Sequence, residues 1–308
     1  GKTLTTIMAC AEQIRVGISR KVLITCPINT IGQWVAQIND AYPGMEVLWG
    51  EANSFTPANR AEFLSRIATM DKGFIVIPHS SFKLIPLDAA FVEDIVSGEI
   101  NDLRFSLTEN GIGYAIKKRI QKMIQSKEAK LKNMAFVKRD DGSIIEWGQL
   151  GVDALVVDEA HEFKNLERMS RITNVVGLSN SASEKAYDLL MKVRFMQEKG
   201  KRIIFLSATP LCNSIAELFT WQKFLAEGQL RASGLEIFDT WVGTYGKKEN
   251  TVDIKPDGSG FRVVTKFTGF HNLPELTAMV GQFFHVVGKD KITEGIPTLV
   301  TNEPIMVA

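Results

Sequence analysis

Apolar residues recur along this chain in two alternating rhythms. Short apolar runs at Val22–Thr25, Glu46–Leu48, Phe74–Pro78, Leu155–Asp158 and Arg202–Ser207 predict strands. Between them Thr5–Val16, Gln33–Asp40, Ala58–Met70 and Ser183–Gln197 carry apolar residues at helical spacing. Strands alternating with helices imply right-handed crossovers and an α/β fold, a mostly parallel sheet flanked by helices. Such sheets bind ligands at the carboxyl ends of their strands.

Two stretches break the rhythm. Over about residues 83–150 the strand–helix beat is lost, a longer gap than a connecting loop needs. Its middle, AIKKRIQKMIQSKEAKLKNMAFVKR, sets Lys117, Lys118, Arg119, Lys122, Lys127, Lys130 and Lys132 against Glu128 alone. Ile116, Ile120, Met123 and Ile124 add an apolar stripe, so this is read as an inserted amphipathic helix. Its basic side is either a solvated face or a phosphate-contacting surface. Residues 229–308 mix aromatics with a turn-rich KPDGSG segment and predict an accessory α+β region beyond a main domain at 1–228.

Composition changes this picture little. The 308 residues suffice for one large or two ordinary domains, and 45% apolar with 23% charged residues describes an ordinary globular chain. The net charge of +1 confines any nucleic-acid surface to a local patch. Cys10, Cys26 and Cys212 are odd in number and far apart, which points to reduced thiols in a cytoplasmic setting. No segment is long and apolar enough to cross a bilayer. The chain opens at Gly1-Lys2-Thr3 without a Met and is read as part of something longer, cut inside a motif.

Candidate chemistry sits at strand ends. Gly1, Lys2 and Thr3 lead straight into a helical pattern, the setting of a phosphate-binding loop: backbone amides and the lysine face phosphates while the hydroxyl holds Mg²⁺. An ordinary helix start has the same appearance. The run LVVDEAHEFKNLE ends an apolar strand in two carboxylates, which are costly to bury there unless something pairs them. Asp158 would bind Mg²⁺, and Glu159 would polarise the water that attacks a γ-phosphate. A zinc site of the HExxH type is excluded, because Asn165 stands where the second histidine would be. Ser207 and Thr209, in SATP after the strand at 202–207, can hydrogen-bond the neighbouring carboxylate and histidine; a plain turn is the alternative.

GKT, DEAH and SATP in this order resemble the first motor domain of superfamily II helicases and translocases. DEAHEFKN and LITCPINTIGQWVAQI look like the Swi/Snf-type branch, and FIVIPHSSFKLI resembles its next nucleic-acid-contacting motif. GVDALVVDEAHEFKNL, LSATPLCNSIAELFTWQKFL, FDTWVGTYG and GSGFRVVTKFTGFHNLPEL are similar to the helicase segment of large phage and mobile-element proteins that often also carry an adenine-specific DNA methylase.

The resemblance implies a RecA-like fold, ATP and Mg²⁺ as cofactors, and duplex DNA as partner. It implies location in the cytoplasm of a prokaryotic or phage-infected cell. His161 would join the nucleotide site, and Thr25, Pro27, His79, Ser80 and Ser81 would face a nucleic-acid backbone. A second motor domain with arginine fingers is expected elsewhere, so this fragment alone should hydrolyse ATP barely. Trp34, Phe219, Trp221 and Phe224 are expected to be packing residues. An RNA helicase, a non-catalytic binding module and an unrelated phosphate-loop kinase are the competing readings.

Overall fold

A computed structural model describes residues 1–108, 113–140, 145–168, 170, 175–176, 183–211, 214–254 and 259–287. Cys212, the KPDG turn at 255–258 and the chain from 288 onward lie outside the described residues.

The chain runs α1 (Lys2–Arg15), β1 (Lys21–Cys26), α2 (Ile31–Ala41), β2 (Val47–Trp49), α3 (Arg60–Thr69), β3 (Gly73–Pro78) and α4 (His79–Phe82). Two long helices follow, α5 (Ala89–Thr108) and α6 (Tyr114–Asp140). Then come β4 (Ala154–Val157), β5 (Val175–Val176), α7 (Glu184–Glu198) and β6 (Arg202–Phe205), of which β4 and β6 rejoin the main sheet. The chain continues through α8 (Ala216–Leu225), α9 (Glu227–Ala232), α10 (Phe238–Tyr245), β7 (Gly246–Ile254), β8 (Phe261–Phe270) and α11 (Leu273–Val280).

The main sheet is parallel throughout, in the order β2-β3-β1-β4-β6. Every residue of β1, β3 and β4 is buried, as expected of strands covered on both faces. Alternate residues divide between two cores. Val22, Ile24, Phe74, Val76 and Val156 pack under α1 and α2 with Ile7, Cys10, Trp34 and Ile38. Leu23, Ile75, Ile77, Leu155 and Val157 pack on the other face with Phe63, Ile67, Leu189 and Val193 of α3 and α7. This is the RecA-like arrangement. Cys10 and Cys26 are free and buried, and burial pushes both thiols up to about 12, so they serve as small apolar fillers.

The insertion forms an antiparallel helical pair. Ile120 and Ile124 of α6 are buried against Val96, Ile100 and Leu103 of α5, together with Met191 of α7. The stripe expected in α6 is therefore its packing seam, while Lys117, Lys118 and Lys122 are exposed.

The C-terminal elements share α8 with the sheet domain. Trp221 and Phe224 join the sheet-domain core against Phe205 of β6, whereas Ala216, Leu218 and Phe219 pack with Phe238, Trp241 and Tyr245 of α10. The division expected at 228/229 falls inside α9. β7 and β8 form an antiparallel hairpin that β5 extends to three strands. Among the described residues no helix is long and apolar enough to cross a membrane.

Candidate nucleotide site

Residues from the two halves of the chain meet above the carboxyl ends of β4 and β6. α1 begins at Lys2, and no side chain caps its first turn, so backbone amides and the positive end of its dipole are available there. The amine of Lys2 lies 3.5 Å from Glu159 Oε1. Thr3 is half-buried in the same first turn.

β4 ends at Val157, one residue short of expectation, but the ladder persists: the Asp158 N–H donates to the Thr25 carbonyl at 2.9 Å. The turn that follows is tied to β6, since the Ala160 N–H donates to the Leu206 carbonyl at 2.8 Å. Together these bonds leave one extra residue between successive ladder bonds to β6. Glu159 absorbs it with φ 43° and ψ 47°, in the left-handed region that non-glycine residues seldom adopt. Such an outlier at a strand end points to function rather than packing.

Asp158 and Glu159 occupy opposite environments. Asp158 is 8% exposed, and both its oxygens accept neutral donors: Oδ1 from the Glu159 N–H at 3.0 Å and Oδ2 from the Trp34 indole N–H at 2.9 Å. The Glu159 side chain is 32% exposed and lies between Lys2 and His161, whose Nδ1 is 3.1 Å from Glu159 Oε2. His161 Nδ1 also lies 3.4 Å from Ser207 Oγ, which accepts the Thr209 N–H at 3.1 Å. From there the Pro210 carbonyl accepts the Trp221 indole N–H of α8 at 2.6 Å, joining the segment to α8. Lys164, beside the acidic turn, pairs with Glu217 of α8 at 3.1 Å.

The geometry thus brings Lys2, Glu159, His161 and Ser207 together at the carboxyl end of the sheet, with Gly1, Thr3 and Asp158 beside them in the chain and Thr209 bonded to Ser207. The donor set suits a magnesium–triphosphate. Among the described residues no group of three or more His, Cys, Asp and Glu side chains could cage a metal. An ion here would take water and phosphate oxygens beside Asp158 and the Thr3 hydroxyl, as Mg²⁺ does.

The residues expected to face nucleic acid divide. Pro27 and Ser80 lie at the surface, half-buried and exposed. Thr25, His79 and Ser81 are buried. The reason is position: Thr25 lies inside β1, which is flanked on both sides by β3 and β4, and His79 starts the one-turn helix that follows β3. Thr25 Oγ1 and His79 Nδ1 are 2.9 Å apart, and the His79 ring meets Phe163 edge-on at 4.9 Å. Burial holds His79 down to about 4, so the ring is neutral at ordinary pH.

Sequence reasoning missed two of these contacts. Trp34 is buried, as a packing residue should be, but its bond to Asp158 spans two segments remote in sequence. Phe163 against His79 is likewise a contact of two motifs that no local pattern announces. A separate groove of about 590 Å³, lined by Ile28, Val35, Trp49 and Asn53 among others, shares no residue with the site.

In comparison with known protein families, the model of a family described as a probable helicase domain matches residues 1–285. No curated protein matches the chain.

Proposed function

The chain belongs to the probable helicase domain family, and on that premise we propose that it is the first motor domain of a Swi/Snf-type machine that uses ATP to move along duplex DNA. The observation that carries this reading is the approach of Lys2 to Glu159 from opposite halves of the sequence, above the strand ends where nucleotides bind in parallel sheets.

In this reading Lys2 and the first-turn amides of α1 hold the triphosphate. Asp158 and the Thr3 hydroxyl hold Mg²⁺, which offsets phosphate charge. Lys2 leaves Glu159 for the phosphates when nucleotide arrives, and Glu159, released from that contact, orients water as general base. His161, Ser207 and Thr209 pass the state of Glu159 to α8. Pro27 and Ser80 present the loop surface for a phosphate backbone, a contact that positions DNA without reading its sequence. In this reading a second motor domain would supply the arginine finger that completes the site.

The test is ATP hydrolysis by the full-length protein with duplex DNA, single-stranded RNA or no nucleic acid. Duplex DNA is expected to stimulate most. Glu159→Gln should retain a fluorescent ATP analogue and lose about 10²–10⁴-fold in turnover. Wild-type turnover in that variant removes the assigned base, and stimulation by RNA alone assigns the motor to RNA.

A further inference from the structure

Trp34 occupies a position that packing alone does not explain. Its ring is 1% exposed in the cluster that also contains Ile7 and Cys10 of α1 and Val156 of β4. Its N–H is directed at Asp158 Oδ2. Indole has one donor and no acceptor, so this bond runs in only one direction. The Glu159 N–H holds the other oxygen. Two donors on different elements, a helix and a turn, fix the carboxylate plane against rotation about Cβ–Cγ.

Neutral donors matter here. A lysine or arginine in the same place would orient the carboxylate and also cancel its charge, whereas an indole and an amide orient it and leave the charge for a cation. Each oxygen keeps a further lone pair. The arrangement matches the general rule that carboxylates which ligate metals are themselves hydrogen-bonded by an outer layer of residues.

We infer that Trp34 is a positioning residue for Asp158: it aims the metal-binding carboxylate and ties its orientation to α2. The inference rests on the motor reading above. Trp34 touches neither nucleotide nor metal in this account, and acts only through Asp158.

The experiment uses the full-length protein with a non-hydrolysable ATP analogue. Binding of Mn²⁺ to the nucleotide complex is followed by electron paramagnetic resonance, and metal-free nucleotide binding by fluorescence. Trp34→Phe keeps the apolar ring and removes the donor. Its Mn²⁺ affinity should fall about 10–100-fold, with metal-free nucleotide affinity and DNA binding unchanged. Should Trp34→Phe not fold, replacing Trp34 with its benzothiophene analogue, sulfur in place of N–H, preserves the ring's shape and carries the same expectation. Unchanged Mn²⁺ affinity in a folded variant, beside tight binding by the wild type, overturns the role of Trp34 and leaves the motor reading intact. Wild-type protein that binds no Mn²⁺–nucleotide, or Lys2→Ala that binds it as the wild type does, overturns both.

Discussion

Buried charge is handled in two ways in this molecule, and the contrast separates scaffold from site. Where α5, α6, α7 and α9 meet, Arg194 makes a bidentate pair with Glu227 at 2.9 and 2.8 Å and reaches Glu99 at 2.7 Å. Glu99 also accepts from Lys127 at 2.6 Å and from the Tyr187 hydroxyl at 2.8 Å, and Lys223 completes Glu227 at 2.8 Å. Each carboxylate oxygen in this clamp has a charged partner at hydrogen-bond distance. At the carboxyl end of the sheet, by contrast, Glu159 has a lysine at 3.5 Å and a strained backbone, and Asp158 has neutral donors only. A closed network specifies one arrangement; in the proposed motor the open one would take up nucleotide and its ion.

The clamp is the place to break that comparison with the largest effect. Its partners pull the Glu227 carboxyl down to about 2 against the opposing effect of burial, with Arg194 the strongest of them. Arg194→Ala leaves the buried Glu227 and the half-buried Glu99 without their shared cation, and should cost about 3–5 kcal/mol of unfolding free energy. Chemical denaturation at neutral pH checks it. Arg194→Lys should recover only part, because the bidentate geometry is lost. A loss below about 1 kcal/mol from Arg194→Ala would mean that the apolar seam around Ile120, Ile124 and Met191 holds the inserted pair, and that the clamp is incidental.

His79 lies between the two extremes, buried beside the site yet neutral. Its proton affinity is lowered first by burial; Glu162 and Asp158 oppose that effect and Lys185 adds to it. The folded value, about 4, lies below the unfolded one, so the unfolded chain takes up the proton first as pH falls. Stability is complete above about pH 6.5 and declines toward pH 4. At pH 5 the loss is about 2 kcal/mol. Urea denaturation at pH 7.5 and 5 should show it in the wild type and much less in His79→Phe. The depressed carboxylates of the clamp titrate at lower pH and leave this window clear. Equal pH dependence in both proteins would place the sensitivity elsewhere.

What the sequence made legible follows from how local each signal is. All five sheet strands lie within two residues of their expected bounds, because apolar runs between helical patterns are short-range signals. Lys2 and Glu159 were expected to share a nucleotide, and they do lie together, since residue types at strand ends carry that pairing. α5 was not recognised as a helix, for the stretch from 83 showed only that the strand–helix beat had stopped. The clamp was invisible: Glu99, Arg194 and Glu227 read as ordinary charges on helices, and only the packing of four helices buries them. Thr25, His79 and Ser81 read as surface polar residues because hydroxyl and imidazole groups carry no mark of how deep a strand end sits. The Trp34–Asp158 bond depends on a register between α2 and β4 that no spacing encodes.

The smallest expected effect is at Glu159 itself, and it bears most directly on the contrast between closed and poised networks. An L-residue in the left-handed region pays about 1 kcal/mol or more that glycine does not. The contacts of Glu159 with Lys2 and His161 are partly exposed and contribute little to stability. Glu159→Ala removes those contacts and keeps the strain; Glu159→Gly removes both. Glycine should therefore be the more stable of the two by about 1 kcal/mol, reversing the ordinary preference for alanine, while both lack hydrolysis. The difference between the two denaturation midpoints isolates the backbone from the side chain. If alanine proves as stable as glycine, the turn at Glu159 is relaxed, and its left-handed backbone stores no strain.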